Sequence, residues 1–437
     1  MNAAKSNRRR AVSGVLLLFM LVLSIGDILS DAIPSIYSGA LAWLAALFLW
    51  PDTTHTQRTQ IGILGLIGLA GLAWGWFNGV DIDPFRVLSQ NQLIISMMAA
   101  VTLLRLLNPP LDTSKNELPT GKGAYLKSML GVHLFGAVIN VSALVIMADR
   151  LSRDRPLSEP QALLLSRTFT LAVFYSPFIG GMALALAYTP GSQLPLIMLF
   201  GIPLAIAGLL IILSMASWDR NQDLKEFKGY PVHLESLWLP ALLAGAVLGL
   251  HTLFPELSVL ALVIILSPII VVLTLVFRTG LKATTGEVAE FIKRRLSDMS
   301  GELMLFLSAG VLASGVAAMF STWGDWVPFH VFDAGTASLI LVGTVTVAIF
   351  GVHPVVIVST AVPLLAPLHP DPSLLALLFV MCWGIGCAIS PLSGTNVTLN
   401  GRYGISSWII SRRNIKYCTA MSIVAIGLLH LYELILN

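Results

Sequence analysis

Six side chains able to donate, accept or coordinate stand close together late in the sequence: Ser390, Ser393, Thr395, Asn396, Thr398 and Asn400, in the run SPLSGTNVTLN. They bring hydroxyls and amides but no acid. The chemistry open to them is therefore recognition: hydrogen bonds to an anion, or neutral oxygen ligands for a small hard cation such as sodium. Nucleophilic catalysis would need a base and an orienting partner. No carboxylate or histidine accompanies these serines, and neither HExxH nor GxSxG occurs in the chain, which argues against an enzyme.

The cluster falls where an apolar run should continue as helix. Pro391 removes a backbone donor and Gly394 permits a sharp turn, so the helix is expected to break there. In hydrocarbon such a break survives only against protein or beside a water-filled cavity. The same punctuation occurs as SPFIGG, with Ser176, Pro177 and Gly180 standing 214 positions before Ser390, Pro391 and Gly394, and with Gly181 following. Two further matches extend the repeat. Gly131-Val132-His133 recurs as Gly351-Val352-His353 at an offset of 220, and the run from Gln92 to Val101 resembles that from Glu302 to Val311 at an offset of 210. Paired interrupted helices in two halves point to the central site of a transporter.

Composition sets the elements that must hold these residues. The 437 residues are 56% hydrophobic and 11% charged, with mean hydropathy +0.83, more apolar surface than a water-soluble domain hides. The net charge of +3 comes with no basic face interleaved with aromatics, which excludes a nucleic-acid partner. Cys382, Cys387 and Cys418 lie in apolar segments and are odd in number, so they form neither a disulfide framework nor a zinc site.

Charge sets the topology. Lys5, Arg8, Arg9 and Arg10 precede an apolar run from Ala11 to Ile28 too long for a cleaved signal, which places the amino terminus in the cytoplasm. Lys115, Lys122 and Lys127 mark one cytoplasmic loop and Arg220, Lys225 and Lys228 another. The segment from Met129 to Met147 then has to enter and return on the same side, or Arg150, Arg153 and Arg155 would lie outside. It reads as a re-entrant hairpin. A second hairpin, about Leu339 to Leu368, is flanked by segments without Lys or Arg and enters from outside, beside a loop bearing Trp323, Trp326 and Phe329. Between the halves, Arg278, Lys282, Lys293, Arg294 and Arg295 belong to an amphipathic cytoplasmic segment.

The expected fold is an all-α polytopic membrane protein. About 11 transmembrane helices form an inverted-topology repeat with two re-entrant hairpins and two broken helices. The expected divisions are 1–90 (amino-terminal helices), 91–215 (first repeat), 216–300 (connecting helices) and 301–437 (second repeat). The chain should sit in a bacterial-type inner membrane with its carboxyl terminus in the periplasm.

From about Leu93 to Met215 and Leu303 to Leu436 the sequence resembles the ion transporter superfamily, nearest to the divalent anion:sodium symporters and their arsenite-pump relatives. GGMALALAYTPG, from Gly180 to Gly191, resembles the first broken-helix region of that family, and SGTN, from Ser393 to Asn396, the second. The resemblance implies hairpin tips at Asn140-Val141-Ser142 and Ser359-Thr360-Ala361, neither a full Ser-Asn-Thr. It implies secondary active transport of a small organic or inorganic anion coupled to sodium. A proton-coupled exporter and a lipid-carrier flippase are the alternatives.

The expected substrate-binding set is Asn140, Ser142, Ser176, Gly180, Gly181, Ser359, Thr360, Ser390, Ser393, Gly394, Thr395, Asn396 and Thr398, with sodium at Ser393, Thr395 and Asn396. No other cofactor is expected. The partners are the lipid bilayer, the anionic substrate and a second copy of the chain in a homodimer. No acid sits mid-hairpin or mid-break, since Asp27, Asp31, Asp149, Glu159 and Glu302 all fall near predicted ends, which disfavours a carboxylate proton relay. His133 and His353 remain as coupling candidates, or as neutral imidazoles that serve packing. Arg167 and Arg402 flank the broken helices on the cytoplasmic side, where they attract an anion or, as expected here, snorkel to the interface, and Asn414 is expected at the cytoplasmic surface.

Overall fold

The computed structural model describes residues 2–30, 33–107, 118–153, 155–218, 224–229, 238–323 and 328–436. Lys115, Arg220 and Trp326, which bear on the topology, and Asp31, one of the acids near predicted ends, lie outside them. The described residues are helical, with one isolated bridge between Thr120 and Lys228. In chain order the helices are α1 (Asn2–Ser30), α2 (Ser35–Leu49), α3 (His55–Phe77), α4 (Pro84–Ser89), α5 (Gln92–Leu103), α6 (Lys122–Ile139), α7 (Val141–Leu151), α8 (Glu159–Leu171), α9 (Gly180–Tyr188) and α10 (Leu194–Trp218). They continue as α11 (Trp238–Leu253), α12 (Val259–Thr279), α13 (Leu281–Arg294), α14 (Ser300–Phe320), α15 (Ala334–Ile349), α16 (Pro354–Leu365), α17 (Pro372–Ile389), α18 (Gly394–Tyr403) and α19 (Ser407–Leu436).

Among the described residues eight helical stretches are long and apolar enough to cross a membrane, and three shorter apolar helices accompany them. This is a polytopic helical membrane protein. The difference from the eleven expected spans has a physical cause. Three expected spans fall short of the length a bilayer requires: α2 and α11 are single helices of 15 and 16 described residues, and the span Gln161 to Tyr188 is cut at the first break into α8 and α9.

The order of elements repeats with little drift. Helix α8 begins at Glu159 and α17 at Pro372, 213 positions apart; α9 begins at Gly180 and α18 at Gly394, 214 apart; α10 begins at Leu194 and α19 at Ser407, 213 apart. The Gly-Val-His match does not belong to this repeat. His133 lies inside α6, whereas His353 stands in the turn that separates α15 from α16. Its offset of 220 differs from the others because it pairs a helix interior with a turn.

The chain divides into two compact units. The first comprises 1–108, 243–328 and 355–367. Its closest helix pair is α3 with α14, which meet through small residues. A Cβ on Gly71 would come within 2.4 Å of the Gly315 carbonyl oxygen, so only glycine allows the backbones to touch. Leu64, Leu312 and Val316 fill the flanks.

The second unit comprises 109–242, 329–354 and 368–437 and contains both breaks. Its axis is α17, in which every residue from Ser373 to Ile389 is buried. A helix apolar on all sides is stable only when wrapped, and α8, α9, α10, α15, α18 and α19 wrap this one. Asp371 starts α17 by accepting the Leu374 N–H at 2.7 Å and the Tyr432 hydroxyl at 2.6 Å. A second apolar cluster, including Val132, Leu144, Met147, Leu165, Phe169, Leu399 and Ile410, joins α6, α7, α8, α18 and α19.

Candidate functional site

Both breaks open with the same local turn. At the first, Ser176 Oγ accepts the Phe178 N–H at 3.3 Å across Pro177; at the second, Ser390 Oγ accepts the Leu392 N–H at 3.3 Å across Pro391. A serine that bonds two residues ahead competes with helix, and the proline between offers no N–H to continue it. The Ser-Pro signature is thus the physical cause of the interruption in each half.

The hairpin turns pack on the breaks of their own halves. Ser176 Oγ also donates to the Ala137 carbonyl near the end of α6. Asn140 forms the first turn with φ 57°, and its side chain accepts the Val141 N–H at 2.8 Å. Ser142 follows in the first turn of α7. Past α15 the turn is built by Gly351 with φ 96°, and a Cβ there would meet Leu392 at 3.2 Å. The expected second tip at Ser359 and Thr360 is corrected by this finding: both lie within α16, and in the first unit. Glycine supplies the left-handed backbone that a sharp turn requires, and no residue of Ser359-Thr360-Ala361 has positive φ.

The breaks also meet each other. A Cβ on Gly181 of α9 would lie 2.5 Å from the Trp383 ring of α17, and one on Gly384 would lie 2.4 Å from the Phe174 ring just before the first break. Ser166 of α8 donates to Asn396 Oδ1 of α18 at 2.8 Å. The Asn396 amide donates to the carbonyls of Ser390, Ala388 and Cys387 at 2.9, 3.3 and 3.4 Å. Those carbonyls lie at the end of α17, where no helical N–H follows. Ser393 caps α18 by accepting the Asn396 N–H at 3.3 Å.

A second asparagine repeats the arrangement. Asn414 of α19 donates to the Ala388 carbonyl at 2.7 Å and accepts Arg167 Nε at 2.7 Å, while Arg167 Nη2 donates to the Arg413 carbonyl at 2.8 Å. Two amides thus reach the end of α17, and the consecutive residues Ser166 and Arg167 hold their oxygens. This corrects two expectations. Asn414 is fully buried rather than superficial, and Arg167, 9% exposed, does not snorkel. Its guanidinium also stands 5.3 Å from the centre of the Tyr417 ring. Arg402, by contrast, is exposed and reaches Asp149 at 3.5 Å.

Of the expected site residues, Asn140, Ser142, Ser176, Gly180, Gly181, Ser390, Ser393, Gly394, Thr395, Asn396 and Thr398 share the second unit. Ser176, Ser390, Ser393 and Asn396 bond backbone, and Thr398 Oγ1 donates to the Gly394 carbonyl at 2.7 Å. Thr395 is different: it is buried, yet its hydroxyl meets no partner among the described residues. Thr168 Oγ1 and Ser359 Oγ, unlike the Thr395 hydroxyl, are fully enclosed atoms without a partner among those residues. His133 places Nδ1 3.3 Å from the Thr168 carbonyl and Nε2 3.0 Å from the Tyr175 hydroxyl, an arrangement that one neutral tautomer satisfies at both nitrogens. His353 lies edge-on to Trp383 at 5.2 Å. The described residues contain no cluster of His, Cys, Asp and Glu able to hold a metal.

Sequence reasoning missed Ser166, Trp383 and the burial of Arg167 and Asn414. The available signal was Arg167 itself, a charge inside the apolar run LLLSRTFTLAVF.

The site therefore belongs to a polytopic helical membrane protein in which two interrupted helices touch. No known protein family and no curated protein matches the sequence. Among solved structures, the chain is similar to the Alcanivorax borkumensis YdaH transporter, whose crystal structure is described as revealing an unusual topology. The two share 12% identity and superpose with a TM-score of 0.45, covering 87% of this chain and 98% of that one. At that score the likeness transfers no residue role or activity.

Proposed function

We propose that this chain is a secondary carrier that moves a small organic or inorganic anion across the inner membrane by alternating access. The observation that carries the reading is the contact between two interrupted helices within one unit, each break set against a helix–helix turn of its own half. Interruptions in apolar helices are tolerated where they line a cavity, and in carriers they hold the solute. The repeated order of elements supports an inverted repeat, with the two turns entering from opposite faces as re-entrant hairpins. The same chemistry favours binding over an enzymatic role, since the serines of the breaks bond backbone and none faces a base.

Sodium is the proposed coupling ion, with the free hydroxyl of Thr395 as its side-chain ligand. Ser393 and Asn396, the other expected ligands, are already engaged in capping. Proton coupling would fall to His133 and His353.

The test is charge movement and uptake in proteoliposomes, with a panel of carboxylates and inorganic oxyanions supplied under a sodium gradient and then under a pH gradient. Saturable anion movement that collapses without sodium supports the proposal. Movement under a pH gradient alone replaces sodium with protons. Scrambling of labelled phospholipid with no solute movement under either gradient overturns the carrier reading in favour of a flippase.

A further inference from the structure

Arg167 is the one charge in the clasp between the breaks, and the clasp satisfies only part of it. Its planar fork carries five N–H groups. The edge formed by Nε and Nη2 is occupied, at 2.7 Å by Asn414 Oδ1 and at 2.8 Å by the Arg413 carbonyl. The other edge, Nη1 with the second Nη2 hydrogen, meets no partner among the described residues, and no carboxylate pairs with the guanidinium there. The nearest acid on its own helix, Glu159, is taken by the Arg413 side chain at 2.7 Å and lies eight residues back, about 12 Å along the axis.

Electrostatics sharpens the point. Asn414 connects the guanidinium to the Ala388 carbonyl at the end of α17, and a helix C-terminus carries only about half a negative charge. Part of the arginine's charge thus remains uncompensated in a buried setting, where an unpaired ion is costly. The free edge holds two parallel N–H bonds in the geometry that matches a carboxylate or phosphate. Tyr417 against the guanidinium and the hydrogen bonds at Nε and Nη2 fix its orientation.

We propose that the free edge of Arg167 binds an oxyanion group, and that this group belongs to the transported solute. The inference rests on the anion-carrier reading, but its test reads binding alone, so either can fail without the other. Purified protein in a non-ionic detergent is heated in sodium acetate, in inorganic phosphate, or in sodium chloride at matched ionic strength and pH. The expected result is an unfolding midpoint raised by about 2–4 °C in acetate or phosphate relative to chloride. Arg167→Lys, which keeps a charge but lacks the fork, should lose more than half of that rise, while the exposed-site variants Arg402→Gln and Arg412→Gln should retain it. Equal midpoints of wild type in all three salts overturn the proposal, as does a full rise in Arg167→Lys or its loss on removing Arg402 or Arg412. Should Arg167→Lys fail to fold, the wild-type concentration dependence decides: a rise that saturates at low millimolar phosphate or acetate supports a site, and one that grows linearly with salt concentration overturns it. A parallel series in phosphatidylcholine nanodiscs with and without phosphatidylglycerol identifies the source: a rise that comes only with phosphatidylglycerol assigns the oxyanion to a lipid phosphate and removes the solute.

Discussion

At the first break, Ser176 bonds forward to Phe178 and back to Ala137, while the start of α9 has no side-chain cap and closes by packing, with Gly181 flat against Trp383. At the second, the same forward bond from Ser390 is followed by a capping serine and a buried asparagine that gathers three carbonyls at the end of α17. One interruption is repaired by apolar contact and the other by amides. The polar count at a break therefore reports how the backbone is satisfied, and the side chains left over are the ones free for a ligand. By that measure Thr395 and Arg167 outrank Asn396, although Asn396 stands at the centre of the richest motif.

The largest effect should come from the amides. Asn396→Leu strands Ser166 and several carbonyls in a buried site, at a cost of about 1–3 kcal/mol for each group left unpaired, and should lower the unfolding midpoint more than any other change at the breaks. Asn414→Leu should be comparably severe because it strands Arg167 and Ala388. A thiol-reactive dye that reports exposure of the three buried cysteines on heating would measure both. If Asn414→Leu melts like wild type, the matched clasp is wrong.

Next comes the packed break. Gly181→Ala puts a methyl group 2.5 Å from the Trp383 ring, and overpacking of that kind costs about 1–3 kcal/mol. The same dye assay should show a clear fall, whereas Gly394→Ala, with nothing within 4 Å of its Cβ, should barely change. Equal behaviour of the two glycines would erase the distinction between a packed and an amide-bonded break.

The serines should separate in the same direction. Ser176→Ala loses a bond to another helix as well as its own turn, and should cost about 1–2 kcal/mol; Ser390→Ala loses the local turn alone and should cost under about 1 kcal/mol. A larger loss at Ser390 than at Ser176 would show that the second break leans on its turn rather than on Asn396.

Much of this was legible in the chain because it is local. A serine bonding across a proline, a positive-φ asparagine between two helices and a 214-residue offset are all written in short stretches of sequence. The second hairpin turn was written there too, in Gly351, but the neighbouring His353 drew it into a false match with the interior of α6. The clasp was not legible. Arg167 and Asn414 are 247 positions apart, and flanking charges such as Arg412 and Arg413 make Asn414 look superficial although it faces the axis of its unit. Pairing across such a separation is set by helix packing, which hydropathy and loop charge do not encode.

The smallest effect on stability is the most informative about function. Thr395 sits between the glycine and the asparagine of the second break, is buried, and leaves its hydroxyl unpaired among the described residues. Thr395→Val keeps the shape and deletes only that hydroxyl, so no hydrogen bond seen among the described residues is lost. The unfolding midpoint should stay within about 0.5 kcal/mol of wild type or rise. If the hydroxyl serves sodium or the anion, proteoliposome uptake should nonetheless fall about tenfold at limiting sodium, the equivalent of roughly 1.4 kcal/mol of binding. Unchanged uptake together with unchanged stability would remove Thr395 from the site. A fall in both would place it in the scaffold with Asn396, and the division between residues that repair the break and residues left free to bind would no longer hold there.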